Sequence, residues 1–211
     1  GLGDVYKRQH LVKRTLISLI GLIFCGIGVA LFLYTGLGVD PASVFELGIA
    51  NVFHISYGTS SALINVVILV IVFIIDKSYI NISSMIAIFG IGYTADFVKL
   101  LLNLLRLGEL NIIIKMAMIL AGLLIMAVGI ATYIRADLGV GAIDLISEII
   151  SRKGKLQYRL VRIAGDISFV VIGFLLGGTV GIGTVVAAFM TGPSVQFVRP
   201  FVHRIVDKVI G

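Results

Sequence analysis

Two aspartates, Asp96 and Asp166, interrupt long apolar stretches of this chain. Asn65 and Gln196 interrupt two further apolar stretches. An ionisable side chain at membrane depth costs free energy, so such residues are candidates for carrying a proton or an ion. The two amides can hydrogen-bond to a polar solute or to a neighbouring helix. These residue types therefore indicate an ion or solute pathway.

Each aspartate has a basic residue about one helical turn away. Lys99 follows Asp96 by three positions, and Arg162 precedes Asp166 by four. At this spacing the two side chains of each pair share a helix face and can neutralise each other. Two interpretations remain open. The pairs are either structural, or part of a path in which a basic residue holds an anion and an aspartate carries a proton.

No pattern typical of an enzyme is present. The sequence contains no HExxH, CxxC, GxSxG or DxDxDG motif, and its single cysteine, Cys25, cannot form an internal disulfide. The GTVGIGT stretch that starts at Gly178 lacks the lysine of a phosphate-binding loop. We therefore expect no enzymatic activity, no catalytic residue, no metal and no cofactor. Glu46 and His54 are interpreted as the exposed polar face of a short helix.

The composition is that of a membrane protein. Hydrophobic residues make up 59% of the chain and charged residues 13%, whereas soluble domains carry roughly 25% charged residues. The mean hydropathy is +1.13, so lipid must solvate much of the surface. The net charge of +6 comes from basic residues at the ends of apolar runs. This placement favours the lipid bilayer as the partner and argues against nucleic acid.

The apolar runs predict an all-α polytopic protein with six transmembrane helices, because spanning the hydrocarbon core takes about 20 apolar residues. Residues 1–9 differ in composition from the rest and are interpreted as an adapter or cloning scar. The predicted spans are Thr15–Tyr34, Gly58–Ile75, Ser83–Leu105, Ile112–Ile134, Leu160–Leu176 and Gly181–Val202.

The sequence repeats itself internally. A shift of 101 positions places GLIFCGIGVALFLYTGLGV, which starts at Gly21, on GLLIMAVGIATYIRADLGV, which starts at Gly122. We therefore predict two membrane repeats of three spans each, residues 10–107 and residues 108–211. An odd number of spans per repeat turns the second repeat upside down relative to the first, an architecture common among transporters.

The repeat also organises the polar residues. It aligns Asn65 with Asp166, and a shift of 100 aligns Asp96 with Gln196, which predicts two polar layers. The distribution of Lys and Arg predicts that both termini are cytoplasmic.

Each repeat carries a segment too short to span comfortably, residues 41–55 on the predicted outer side and residues 142–153 on the inner side. One interpretation is an amphipathic helix in the membrane interface. The other is a re-entrant half-helix whose positive N-terminal end points into a site at the membrane midplane.

Two motifs carry a resemblance to a known family: LGVGAID at residues 138–144, and LGGTVGIGT at residues 176–184 followed by a Gly-Pro pair. Nearly the whole chain after residue 9 resembles the YczE/YyaS/YitT-like bacterial integral membrane proteins. The resemblance implies a polytopic protein of the bacterial inner membrane with an internal duplication. Family members often carry a tryptophan before the aspartate of the short helix. Here Ile143 precedes Asp144, and Ser43 replaces the aspartate in the first repeat.

Together these patterns predict a small-solute secondary transporter or permease with a site between inverted repeats. The alternative is a non-transporting membrane partner that anchors or regulates a protein complex. A third option is an intramembrane enzyme, which would need two titratable groups within hydrogen-bond reach in a cavity. A homodimer is a further expectation, because a six-helix bundle leaves limited interior for a pathway. The candidate pathway residues are Asn65, Asp96, Lys99, Asp144, Arg162, Asp166 and Gln196.

Overall fold

The computed structural model describes residues 2–76, 82–105, 110–136 and 141–210. Within these ranges the chain forms eight α-helices and no strand, which agrees with the predicted all-α class. The helices are α1 (Leu2–Thr35), α2 (Pro41–Phe53), α3 (Tyr57–Asp76), α4 (Ile82–Leu104), α5 (Ile112–Ala136), α6 (Ala142–Gly154), α7 (Tyr158–Leu175) and α8 (Ile182–Ile210).

Each predicted span lies on one long helix, and α1 and α8 extend further towards the chain ends than predicted. Among the described residues, α7 is not apolar enough to meet the criterion for a membrane-crossing helix. In α7 the reason is visible, because its 18 residues include Arg159, Arg162 and Asp166. Within the part of the chain that the structure describes, the stretches long and apolar enough to cross a membrane are Leu11–Thr35, Tyr57–Ile75, Ile112–Ala136 and Ile182–Val209.

The helices α1 and α5 form an antiparallel pair that crosses at glycines. A Cβ atom added to Gly21 would lie 2.8 Å from the carbonyl oxygen of Gly129, and one added to Gly28 would lie 2.6 Å from that of Gly122. A side chain at any of these points would push the two backbones apart. Small residues at such crossings are how membrane helices gain close van der Waals contact.

The remaining helices pack around this pair. α4 lies along α1, and α8 lies along α5. The short helices α2 and α6 each contact both α3 and α7. One apolar cluster includes Phe32 of α1 and Ile119 of α5, and a second joins Leu69 and Val72 of α3 to Leu145 of α6. The short helices are therefore held against longer helices.

The helices α2 and α6 are 13 residues each and end in the same way. α2 begins after Asp40, whose carboxylate accepts a hydrogen bond from the Ser43 N–H at 3.3 Å, and α6 begins after Gly141. Their C-cap residues, His54 and Lys155, both adopt left-handed φ angles, of 54° and 51°. A helix of 13 residues is about 20 Å long, shorter than the hydrocarbon core of about 30 Å. Neither helix is long enough to span the membrane.

Candidate functional site

A buried carboxylate, Glu46, lies between α2 and α3. Glu46 is 5% exposed, so its interpretation as part of an exposed polar face was wrong. Glu46 is the one charged residue in the sequence of α2. Burying an ionisable group is costly unless its polar atoms find partners, and the local structure supplies them.

Both carboxylate oxygens of Glu46 accept hydrogen bonds from hydroxyl groups. Tyr57 Oη donates to Oε2 at 2.6 Å, and Ser61 Oγ donates to Oε1 at 3.0 Å. Ser43 Oγ lies 2.9 Å from Tyr57 Oη. All four residues are buried. We call Ser43, Glu46, Tyr57 and Ser61 the Glu46 cluster.

Two further side chains of α3, those of Ser60 and Asn65, hydrogen-bond to main-chain atoms of this cluster. Ser60 Oγ donates to the main-chain oxygen of Glu46 at 2.6 Å. Asn65 Nδ2, one turn further along α3, donates to the Ser61 carbonyl oxygen at 2.9 Å and lies 3.4 Å from Ser61 Oγ. Of the pathway residues predicted from the sequence, Asn65 is thus the one that adjoins the cluster directly.

Asp96 lies at the edge of the same region and has a structural partner. Its Oδ2 atom accepts a hydrogen bond from the Gly58 N–H at 2.8 Å. Asp96 on α4 therefore caps the first turn of α3, where a carboxylate is stabilised by unpaired N–H groups and by the helix dipole. Within the described structure Asp96 forms no ion pair with the half-buried Lys99, so the pairing allowed by their spacing is not realised.

The second predicted pair does form. Arg162 Nε lies 3.3 Å from Asp166 Oδ1 on α7, and both side chains are about one-third exposed. Gln196 is exposed on α8. The side chain of Asp144 lies outside the part of the chain that the structure describes. Asn65 and Asp96 thus lie near Glu46, whereas Arg162 and Asp166 are paired with each other on a different helix.

The surroundings of Glu46 change its acidity. Burial raises the pKa of Glu46 from its ordinary 4.5 to about 7. The hydrogen bond from Tyr57 opposes this rise because it stabilises the ionised form, and the charge of Asp40 adds to the rise. A carboxyl group with a pKa near neutrality can exchange a proton under physiological conditions.

The Glu46 cluster was missed because its residues are ordinary when taken one at a time. The available signal was a single glutamate in a short apolar helix without Lys or Arg, followed by the Ser60-Ser61 pair at the start of the next apolar run. Among the residues that the structure describes, no group of three or more His, Cys, Asp or Glu side chains could hold a metal ion.

The chain is similar to known bacterial proteins. The chain is 32% identical over 193 residues to an uncharacterized protein of Haemophilus influenzae, covering 92% of this chain and 86% of the relative. It is 26% identical over 194 residues to the uncharacterized membrane protein YczE of Bacillus subtilis, covering 92% of this chain and 88% of the relative. The uncharacterized protein YyaS of the same organism is 24% identical over 186 residues, or 88% of this chain and 92% of the relative.

These matches confirm the resemblance to YczE- and YyaS-like proteins and support a membrane location. No solved structure matches the chain. Residues 12–200 match the family of unknown function DUF6198. The chain belongs to the DUF6198 family.

Proposed function

We propose that this protein is a small-solute transporter of the bacterial inner membrane, without enzymatic activity, built from two inverted three-span repeats. Both termini are cytoplasmic in this proposal. Inverted repeats create a site between halves that rock against each other. Because a fold does not determine a function, the proposal depends on what the described residues do at that site.

The contacts between α1 and α5 support the repeat. Gly21 and Gly28 correspond by the 101-residue shift to Gly122 and Gly129, and it is Gly21 that meets Gly129 and Gly28 that meets Gly122. Exchanging the two repeats leaves this set of contacts unchanged, as a two-fold axis requires.

A further contact joins two residues that correspond to each other in the repeat. Cys25 Sγ lies 3.8 Å from the carbonyl oxygen of Met126, and these residues are themselves 101 positions apart. A residue that contacts its own counterpart lies at the axis. This contact therefore supports antiparallel, inverted halves.

The ends of the short helices support the repeat independently. The N-cap residues Asp40 and Gly141 have φ and ψ angles of −61° and 157°, and of −59° and 157°. The C-cap residues His54 and Lys155 have angles of 54° and 39°, and of 51° and 34°. Both pairs are 101 positions apart in the sequence.

The two halves differ where α4 and α8 should occupy equivalent places. A Cβ atom on Gly92 of α4 would lie 2.9 Å from the Cα of Gly58 on α3, whereas a Cβ on Gly192 of α8 would meet nothing within 4 Å. Among the described residues, α8 packs on α5 and does not lie along α7 as α4 lies along α3. At the position equivalent to Gly58, α7 carries Arg159. Halves in two different arrangements are expected of a transporter at one point of its cycle.

The single observation that carries the transport proposal is the Glu46 cluster. It places an ionisable carboxylate, with hydroxyl donors and no ion-pair partner among the described residues, in the buried space between α2 and α3. Ionisable groups inside membrane proteins are rare because their burial is costly, and those that are present commonly mark ion and substrate paths.

The proposal is tested by measuring the thermal stability of the purified protein with amino acids, organic acids, sugars and nucleosides. A ligand that binds the folded state raises the melting temperature. We expect one solute class to stabilise the wild type and not Glu46→Gln. The matched control is Glu148→Gln, since Glu148 is partly exposed and paired with Arg152 on α6.

Stabilisation by one class, lost in Glu46→Gln and kept in Glu148→Gln, would support transport, and solute counterflow in liposomes would follow. If no class stabilises the wild type and none moves in counterflow, transport is contradicted. The non-transporting partner then becomes the better hypothesis, and co-purification from membranes would identify the protein complex, or a second copy of this chain, that it binds.

A further inference from the structure

The hydroxyl groups around Glu46 can satisfy the carboxyl group in either protonation state. A tyrosine or serine hydroxyl both donates and accepts hydrogen bonds. When Glu46 is ionised, Tyr57 and Ser61 donate to its two oxygens. When Glu46 is protonated, its own O–H can donate to Tyr57 Oη, and Tyr57 can then donate to Ser43 Oγ, which lies 2.9 Å away.

This arrangement is unsuited to a metal cation. The Tyr57 hydroxyl lies 2.6 Å from Glu46 Oε2, so a proton already occupies the space between the two oxygens. A sodium or calcium ion would need several oxygens whose lone pairs converge on one empty point. The hydroxyl protons of Tyr57 and Ser61 instead point at the carboxylate. A proton is the ligand that this geometry fits.

The charged and titratable groups near Glu46 give it no cationic partner in the described structure. On α2 itself the nearby group is Asp40 at the N-cap, whose negative charge disfavours ionisation of Glu46. α3 contributes Tyr57, which is already bonded to Glu46. α4 contributes Asp96, which is engaged by the Gly58 N–H at the first turn of α3.

The other helices packed on α2 do not change this balance. The second half of α7 contacts α2: Phe169 stacks on Phe45 with 5.4 Å between the ring centres, and Gly173 packs against Val44. The charged residues of α7, including the Arg162–Asp166 pair, lie in its first half. The loop and first turn of α8 approach the start of α2, and the first charged residue of α8 is Arg199.

We propose that Glu46 is a reversible proton-binding site, held ready by Tyr57, Ser61 and Ser43 between α2 and α3. One O–H bond forms on a carboxyl oxygen of Glu46, the proton comes from water, and no electron moves. Proton binding itself does not depend on the transport proposal. The further step, that this proton is the coupling ion for a solute, rests on the proposed function.

The acidity of Glu46 and the contacts of the adjacent serines on α3 also support the proposal. Burial raises the pKa of Glu46 to about 7, so both protonation states are populated near neutral pH. Ser60, which donates to the main-chain oxygen of Glu46, and Ser61, which donates to its side chain, are adjacent. A change of charge on Glu46 therefore acts directly on the contact between α2 and α3.

The test is an infrared pH titration of the purified full chain between about pH 5 and about pH 9. A protonated carboxyl group has a C=O stretching band separate from that of a carboxylate. We expect a band in the wild type that is lost with a midpoint near 7, that is absent in Glu46→Gln and that remains in Glu148→Gln. Persistence of the same band in Glu46→Gln would overturn the proposal.

A second variant keeps the proposal testable if Glu46→Gln fails to fold. Tyr57→Phe keeps the ring and removes the donor that stabilises the ionised carboxylate, so the midpoint should rise by about one pH unit. An unchanged or lowered midpoint in Tyr57→Phe would also overturn the proposal. A titrating Glu46 in a protein that moves no solute would refute transport and leave the proton site standing.

Discussion

Substituting Gly92 by alanine should loosen α4 from α3. The added Cβ would lie 2.9 Å from both the Gly58 Cα and the Ser61 Cβ, where ordinary contacts begin at 3.4 Å, so the helices must separate by about 0.5 Å. Overpacking of this kind costs about 1–3 kcal/mol, and weakening the Asp96–Gly58 hydrogen bond adds to it. Alanine has a higher helix propensity than glycine, which offsets about 1 kcal/mol of this cost. The net loss of unfolding free energy is about 2 kcal/mol.

For a chain of this length that loss lowers the melting temperature by about 4–8 °C. The assay uses Cys25, which is the single cysteine of the chain and 3% exposed. A thiol-reactive fluorogenic dye therefore reports unfolding in detergent. Gly192→Ala is the control, because its Cβ meets nothing within 4 Å, and it should match or slightly exceed the wild type. Equal melting temperatures for the two variants would refute the described difference in packing.

Three further predictions concern other contacts. Ser60→Ala should lower the unfolding free energy by about 1–3 kcal/mol, because the main-chain oxygen of buried Glu46 loses the hydroxyl that donates to it at 2.6 Å. The same dye assay measures this change. An unchanged melting temperature would show that the oxygen finds another donor. The raised pKa of Glu46 means that the folded state holds the Glu46 proton more tightly than the unfolded state does. Relative to Glu46→Gln, the wild type should therefore lose about 3 kcal/mol of unfolding free energy as the pH rises from 4.5 to about 7. Melting curves across this range test the sign, and a gain in stability would contradict it. Arg135→Ala should lower the unfolding free energy by less than about 1 kcal/mol. Arg135 Nη2 lies 2.6 Å from Asp207 Oδ1, but the two side chains are 40% and 49% exposed, so water weakens the ion pair. A melting temperature far below that of the wild type would contradict this.

The long helices could be predicted from the sequence because lipid imposes a simple rule. A run of about 20 apolar residues must be helical in the hydrocarbon core, and α3 and α5 begin within one residue of their predicted starts, Gly58 and Ile112. The rule fails at the chain ends, where α1 and α8 continue past basic residues such as Lys13 and Arg204. A polar residue ends the apolar run without ending the helix.

The site could not be predicted in the same way, because it depends on partners far apart in the sequence. Arg162 and Asp166 are four positions apart, and their pair followed directly from spacing. Asp96 also had a local partner, Lys99, yet its carboxylate binds the Gly58 N–H, 38 positions away. Glu46 meets Tyr57 and Ser61 only once α2 folds onto α3. The apolar residues around Glu46 are a local signal of burial, but they do not identify Tyr57 and Ser61 as its partners.

Proton flux in proteoliposomes shows whether Glu46 is a proton-coupled solute site. A pH-sensitive dye trapped inside reports proton entry when amino acids, organic acids, sugars or nucleosides are added outside. We expect that one class drives proton entry with the wild type and with Glu148→Gln, and that Glu46→Gln abolishes it. Undiminished solute-driven proton entry with Glu46→Gln, or no entry with any class in the wild type, would contradict this expectation.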